Sequence, residues 1–245
     1  MTARSAPLLT IDRGNSTLDC RLGSDPAARR ERLDPADAAA FERFLGDCVP
    51  RAAVAVSVVD GALAPVQRAL ERRGVRLRVA GVDLRCPLAI GYDDPRQLGT
   101  DRWLAALAAR ERHGDALVVD CGTALTFGVV WRDGRYQPGP IGAGLRTMSQ
   151  ALAARAPALP EFDFAVAASF PPRGTVDAVR SGIGLGFADL VESIARRLLL
   201  AVGAPDATWV VTGGDADALL ARSPRAWRHE PALVHDGLVS LAESS

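Results

Sequence analysis

Leu8-Leu9-Thr10-Ile11-Asp12-Arg13-Gly14-Asn15-Ser16 is an apolar run that breaks into an aspartate, a glycine and small polar side chains. The same pattern recurs in the second half as Ala116-Leu117-Val118-Val119-Asp120-Cys121-Gly122-Thr123-Ala124-Leu125-Thr126. Each reads as a buried strand, a glycine turn and a returning strand, with a carboxylate at the turn entrance. Glycine admits close approach of a phosphate, hydroxyl and amide groups donate to its oxygens, and the aspartate holds a counter-cation. Two such hairpins, one per half, predict a nucleotide clamped between two related lobes.

The rest of the chain fits that plan. Residues 35–47 read as an amphipathic helix, with Phe41, Phe44 and Leu45 on one face, and residues 23–32 as a charged surface connection. Ala53 to Val59 reads as a strand, residues 62–73 as a helix stopped by Gly74, and 97–111 as another stopped by His113-Gly114. In the second half, Asp133-Gly134 marks a further hairpin, and helices are expected over 145–156 and 175–202. Val210 to Thr212 is a strand that enters the turn Gly213-Gly214-Asp215. Both halves start with antiparallel strands and then alternate helix and strand. That order predicts duplicated α/β lobes, residues 1–113 and 114–245, with a cleft between them.

Composition narrows the chemistry. The chain has 245 residues, 48% hydrophobic, and a formal net charge of zero, which favours neither nucleic acid nor an anionic membrane as partner. It lacks a run of ~18 apolar residues and a signal-peptide core, so a cytoplasmic protein is expected. Its 29 basic residues are all arginine, which excludes a Schiff-base lysine and the phosphate-binding lysines of P-loop and protein-kinase folds. The cysteines, at 20, 48, 86 and 121, are too scattered for a zinc site or disulfide framework and read as free thiols.

Two further segments bear on function. Tyr92-Asp93-Asp94-Pro95-Arg96-Gln97-Leu98-Gly99-Thr100-Asp101-Arg102 brings an aspartate and an arginine to a helix start. There the arginine can pair with a substrate carboxylate or phosphate, and Asp101 can accept a hydroxyl proton. The plainer reading is a capping aspartate and a surface arginine. Gly182, Gly184 and Gly186 lie within one long helix, each at a cost of ~1 kcal/mol relative to alanine. Close packing explains them, in a dimer interface or in a helix crossing within the chain.

The order of these motifs resembles the type III pantothenate kinases, over nearly the whole chain. Asp12 to Ser16 resembles that family's first phosphate motif, Val56-Ser57-Val58-Val59 its Ser-Val-Val strand, and Gly99-Thr100-Asp101-Arg102 its Gly-Ala-Asp-Arg signature. Asp120 to Thr126 resembles its second phosphate hairpin, Thr175 to Gly182 its long-helix start, and Val211 to Asp215 its Thr-Gly-Gly turn. The resemblance implies duplicated actin-like (ribonuclease H-like) lobes with mixed sheets and an interlobe cleft, the fold of acetate and sugar kinases, heat-shock chaperones and actin.

It also implies a homodimeric enzyme that phosphorylates pantothenate to 4'-phosphopantothenate with ATP, the first step of coenzyme A biosynthesis. Asp12, Gly14, Asn15, Ser16 and Thr123 would surround the ATP phosphates and Mg2+, and Asp101 would accept the proton. Tyr92, Gly99, Thr100 and Arg102 would hold pantothenate, with Thr175 reaching the partner subunit's site. Asp120 would bind a monovalent cation, K+ or NH4+. Several relatives have lysine seven positions after the first-motif aspartate, where this chain has Asp19; beside phosphates, Asp19 must point away or weaken ATP binding. The family's Pro-Gly after the second hairpin is here Ala143-Gly144. The rival reading is a nucleotide-binding transcriptional accessory regulator of the same fold. A hydrolase and an actin-like filament protein are further alternatives.

Overall fold

The computed structural model describes residues 6–25, 27–37, 39–159, 164 and 169–244. The chain forms two compact units: Met1–Leu88 with Asp93–Ala108 and Ala232–Ser245, and Ala89–Tyr92 with Ala109–Pro231.

The first unit is built on a five-stranded sheet of β1 (Leu8–Arg13), β2 (Leu18–Leu22), β3 (Arg29–Leu33), β4 (Ala52–Ser57) and β5 (Leu77–Val79), in the order β3-β2-β1-β4-β5. β1, β2 and β3 are antiparallel; β4 and β5 run parallel to β1. Alternation divides the faces. Leu9, Ile11, Cys20, Ala53 and Ala55 face helices α1 (Ala40–Leu45) and α2 (Ala64–Glu71), whose Phe41, Phe44, Leu45, Val66 and Leu70 fill the core with them. The opposite face carries Thr10 and Val54, both fully buried, and the C-terminal helix of the chain packs against β1 and β4.

Two expectations change here. The charged segment expected as a connection forms strand β3, because Arg30 and Arg32 alternate with Arg29, Glu31 and Leu33 and have a buried carboxylate to pair with. The helix expected over 35–47 is only Ala40–Leu45: Asp34 and Asp37 accept backbone N–H groups two residues on, which makes turns of that stretch. Ala38 lies outside the described residues.

The second unit repeats the plan. Its sheet contains β6 (Ala89–Ile90), β7 (Ala116–Cys121), β8 (Ala124–Val130), β9 (Arg135–Ala143), β10 (Thr208–Thr212) and β11 (Arg228–His229), in the order β11-β10-β7-β8-β9-β6. Read from β9 to β11, the order is that of the first sheet from β3 to β5. Between α2 and β7 comes α3 (Thr100–His113); after β9 come α4 (Leu145–Arg155), α5 (Thr175–Ala201), α6 (Ala216–Leu220) and the final α7 (Leu233–Glu243). Helix α5 presents Phe187, Val191, Ala195 and Leu199, spaced by four, to Leu117, Val119, Phe127 and Val211 of the sheet.

Gly184 of α5 lies close to Arg222, where a methyl would stand 2.9 Å from its Nε; Gly182 and Gly186 face open space. Gly237 marks the tightest approach in the first unit: a methyl there would lie 2.2 Å from the Leu104 carbonyl oxygen of α3. All four cysteines are free, and burial pushes the Cys20 and Cys121 thiols far up, so they remain protonated. No helix is long and apolar enough to cross a membrane among the described residues.

Candidate active site

The first hairpin and the neighbouring Ser57 stand at the C-terminal ends of the central strands β1 and β4. Asp12 is the penultimate residue of β1, and Gly14, Asn15, Ser16 and Thr17 form the turn into β2. Asn15 and Ser16 are exposed. The turn does not require glycine: Gly14 has no positive φ, and a side chain there would meet nothing nearer than 3.9 Å. Its open face is what a ligand approaching the backbone needs. Arg13 steadies the turn by donating to the Gly14 carbonyl. Alongside, Ser57 at the end of β4 closes a turn on Val59, and the Val58 N–H donates to the Arg13 carbonyl, 3.1 Å.

Sequence reasoning missed the partners of Asp19. This residue stands directly opposite Asp12 across β1 and β2, so both carboxylates share one face. Yet it is buried and fully engaged. Arg30 donates to both its oxygens, at 3.0 and 2.9 Å, and Arg32 to Oδ2 at 3.1 Å. His235 of α7 lies 3.1 Å from Oδ1 through Nε2 and 2.9 Å from the Thr10 hydroxyl through Nδ1. An ionised carboxylate only accepts, so Nε2–H donates to Asp19 and Nδ1 accepts from Thr10.

Burial alone would raise the Asp19 carboxyl, but hydrogen bonds from His235 and Arg30 outweigh it and hold the group well below its usual range. Burial in turn lowers His235, against the pull of Asp19, so the ring is neutral. Asp19 shares a sheet face with Asp12, and its carboxylate is held by the guanidiniums of Arg30 and Arg32 on β3. The signal was present in the sequence as the alternating Arg30 and Arg32.

Asp101 and Arg102 begin α3. Asp94 caps the preceding 3₁₀ turn, Pro95–Gln97, by accepting the Arg96 N–H. Asp101 Oδ1 accepts the Arg102 backbone N–H at 2.9 Å. Gly99 makes room for it, since a methyl there would lie 2.6 Å from that oxygen. Thr100 packs against Gly81 in the same way. Burial raises the Asp101 carboxyl, and the Arg102 N–H and charge offset this only in part, leaving it above the ordinary carboxylate value of 3.8. A raised carboxylate is a better proton acceptor. Arg102 itself is buried, so it is not the plain surface arginine of the simpler reading.

In the second unit, Gly122-Thr123 forms the tip between β7 and β8, and the turn after β10 and the start of α4 close on this hairpin. Gly213, with φ +95°, follows β10; a methyl there would stand 2.4 Å from Asp120 Oδ1. Gly144 lies so close that a methyl would overlap the Gly122 carbonyl, and its N–H donates to the Thr123 carbonyl at 3.0 Å. Thr147 donates its hydroxyl to the same carbonyl at 2.7 Å. The Ala143-Gly144 departure therefore keeps the glycine that the packing needs.

Sequence reasoning passed over Asp215 as a charge. It is buried, its N–H donates to the Cys121 carbonyl, and it pairs with Arg146 at 2.8 Å. Tyr92 is half-buried between β6 and the 3₁₀ turn, and Thr175 is exposed as the first residue of α5.

No cluster of three or more metal-ligating side chains exists among the described residues. Asp12, a carboxylate beside the exposed Asn15 and Ser16 of the glycine turn, fits Mg2+ held through one or two carboxylates and substrate phosphates. Asp120, the penultimate residue of β7, is an oxygen donor of the kind a hard cation takes.

Comparison with known proteins agrees with these features. The family model described as type III pantothenate kinase matches residues 8–197. A type III pantothenate kinase of Alkalilimnicola ehrlichii is 38% identical over 201 residues, 80% of each chain. One of a Parafrankia species is 33% identical over 249 residues, 97% of this chain and 98% of its own. Among solved structures, a Campylobacter jejuni protein of the Baf transcriptional-activator family is similar with a TM-score of 0.64 and 19% identity, over 96% of this chain and 98% of its own. An archaeal actin homologue is similar with a TM-score of 0.50 and 13% identity, over 98% and 100%. At such identities the structures bear on fold alone, and the fold is the duplicated actin-like one.

Proposed function

The chain belongs to the type III pantothenate kinase family, and from that premise we propose how its residues divide the work. The reaction is ATP-dependent phosphorylation of pantothenate to 4'-phosphopantothenate, the entry to coenzyme A biosynthesis. The regulator reading is not favoured: the sequence relatives are kinases, and the Campylobacter likeness reaches only the fold.

Asp101 accepts the proton of the primary hydroxyl, and this residue carries the proposal. It is ionisable, partly buried, raised in pKa and fixed at a helix start by Gly99 and the Arg102 N–H. An aliphatic hydroxyl is a weak acid, so Asp101 orients it first and takes the proton late, as the hydroxyl oxygen bonds to the γ-phosphorus and the bond from that phosphorus to the departing ADP oxygen breaks. Arg102 pairs with the pantothenate carboxylate, while Tyr92, Gly99 and Thr100 line its seat. Gly14, Asn15, Ser16 and Thr123 donate to phosphate oxygens through backbone and side-chain groups, and Asp12 holds Mg2+. Bound magnesium supplies charge neutralisation on the phosphates. Asp120 holds K+ or NH4+.

We further propose a homodimer formed along α5. Its support is that Gly182 and Gly186 face open space and that exposed Val176, Leu185 and Leu190 share the helix with them. Thr175 then reaches the partner subunit's pantothenate.

The test is ADP release by the purified protein with Mg2+, ATP and either pantothenate or other small alcohols. Turnover that depends on pantothenate is expected. Equal ADP release with and without it would overturn the proposal.

A further inference from the structure

In the first sheet, Asp12, Asp19 and Arg32 form one row across β1, β2 and β3, and Thr10, Arg21 and Arg30 form the next. Directly opposed residues of antiparallel strands share a face. Asp12, Asp19, Arg30 and Arg32 therefore lie on one side of the sheet, with Arg32 about 10 Å from Asp12 across two strand spacings. Asp19 binds both guanidiniums, and His235 is neutral. The cluster of one carboxylate and two guanidiniums thus carries a formal charge of +1 next to the turn at Gly14. The Asp19 side chain is only 8% exposed, whereas that of Arg32 is 55% exposed, so the cluster turns its positive member to solvent.

We propose that Asp19, Arg30 and Arg32 act as one composite cation that draws the ATP triphosphate to the first hairpin. Asp19 is the anchor that orients the two arginines, and they more than cancel its charge. All three are positioning residues. The inference rests on the reading of the Asp12 turn as a phosphate site. It adds a role for a pair of arginines on a strand that the motif does not include. The His235 contact ties the same anchor to α7, so the cluster is held from both sides.

If the cluster acts by net charge, nucleotide affinity follows that charge. Wild type and D19N/R30Q carry +1, D19N carries +2, and R30Q and R32Q carry zero. One unit charge at this range, in partly exposed surroundings, corresponds to about a five- to tenfold change in affinity. The experiment is titration calorimetry of MgATP binding to these five proteins at low and high salt, with circular dichroism to show folding. Expected are weaker binding by R32Q and R30Q, recovery to near the wild-type value in D19N/R30Q, and binding by D19N at least as tight as wild type. The differences should shrink in high salt.

A purely structural role would instead make every variant weaker and the double variant weakest. That order, or unchanged affinity in folded R32Q and D19N, overturns the inference. Should R30Q not fold, R32Q and D19N/R32Q carry the same comparison, since Arg32 is half exposed. Pantothenate turnover by the wild type is measured in parallel. Turnover with no charge-ordered affinity rejects this inference alone; charge-ordered affinity with no turnover rejects the kinase reading alone.

Discussion

As the proposed proton acceptor, Asp101 concentrates the chemistry of the reaction in one side chain. Burial lifts its carboxyl above the ordinary value of 3.8, and the Arg102 N–H and charge offset that rise only in part. Replacing it with asparagine keeps the shape and removes the base. Turnover should fall by ~10²–10⁴-fold, the ordinary range for loss of a general base, with little change in ATP affinity. The pH profile carries a second sign. Asp101 works ionised, so kcat/KM should decline as pH falls through a value above 3.8, and the D101N variant should lack that limb. Steady-state rates across pH check both; near-wild-type turnover by D101N would remove Asp101 from the mechanism. The motif around Asp101 was legible in sequence. The reason for Gly99 was not, because the clash with the Asp101 oxygen exists only once the helix start is folded.

At the scale of elements, the two glycine hairpins show how much local pattern conveys. Apolar runs ending in Asp12 and Asp120 marked both central strands correctly, as did the Asp133-Gly134 turn and the long α5. Strand β3 was hidden because its residues are charged; a strand rich in arginine is stable here through a buried carboxylate on the neighbouring strand β2, 11 and 13 residues away in sequence from Arg30 and Arg32. The second hairpin depends on distant glycines, Gly144 against Gly122 and Gly213 against Asp120 and Cys121, and no local window reveals that convergence.

Helix α7 carries no motif that the sequence reading used. In the structure it closes one face of the first sheet, through His235 to Thr10 and Asp19 and through Asp236 to Arg21 at 2.6 Å. That contact makes a stability prediction. His235 is buried and its folded pKa lies below the 6.5 of an ordinary histidine. The unfolded state therefore binds more protons as pH falls through 6.5, and stability declines. The melting temperature should drop from pH 7.5 towards 5.5, and H235N should flatten that slope. An identical slope in the variant would assign the pH dependence elsewhere.

The second hairpin yields another prediction. Potassium or ammonium should raise the rate over sodium alone, and D120N should blunt the response. Equal rates in sodium and potassium would remove the cation from Asp120.

Across the whole molecule, the repeated strand order is the deepest regularity: β3-β2-β1-β4-β5 in one unit and β9-β8-β7-β10-β11 in the other. The sequence conveyed the duplication through its two hairpins; the short β6 and β11 at the edges, of two residues each, leave no periodic signal. The dimer proposal makes its prediction at this scale. Each site would combine Asp101 of one chain with Thr175 of the other. Mixing D101N with T175R, each nearly inactive, should restore part of the activity once subunits exchange, because one site in every heterodimer is then free of both lesions. Proven exchange without recovery, or a monomeric mass in solution, rejects shared sites.

The central claim is transfer of phosphate to the pantothenate hydroxyl, and phosphorus NMR of the reaction tests it most directly. The protein, Mg2+, ATP and pantothenate should give ADP and a new phosphomonoester signal, split into a triplet by the two protons of the adjacent methylene. A spectrum that shows only ADP and inorganic phosphate, or unchanged ATP, would contradict the account.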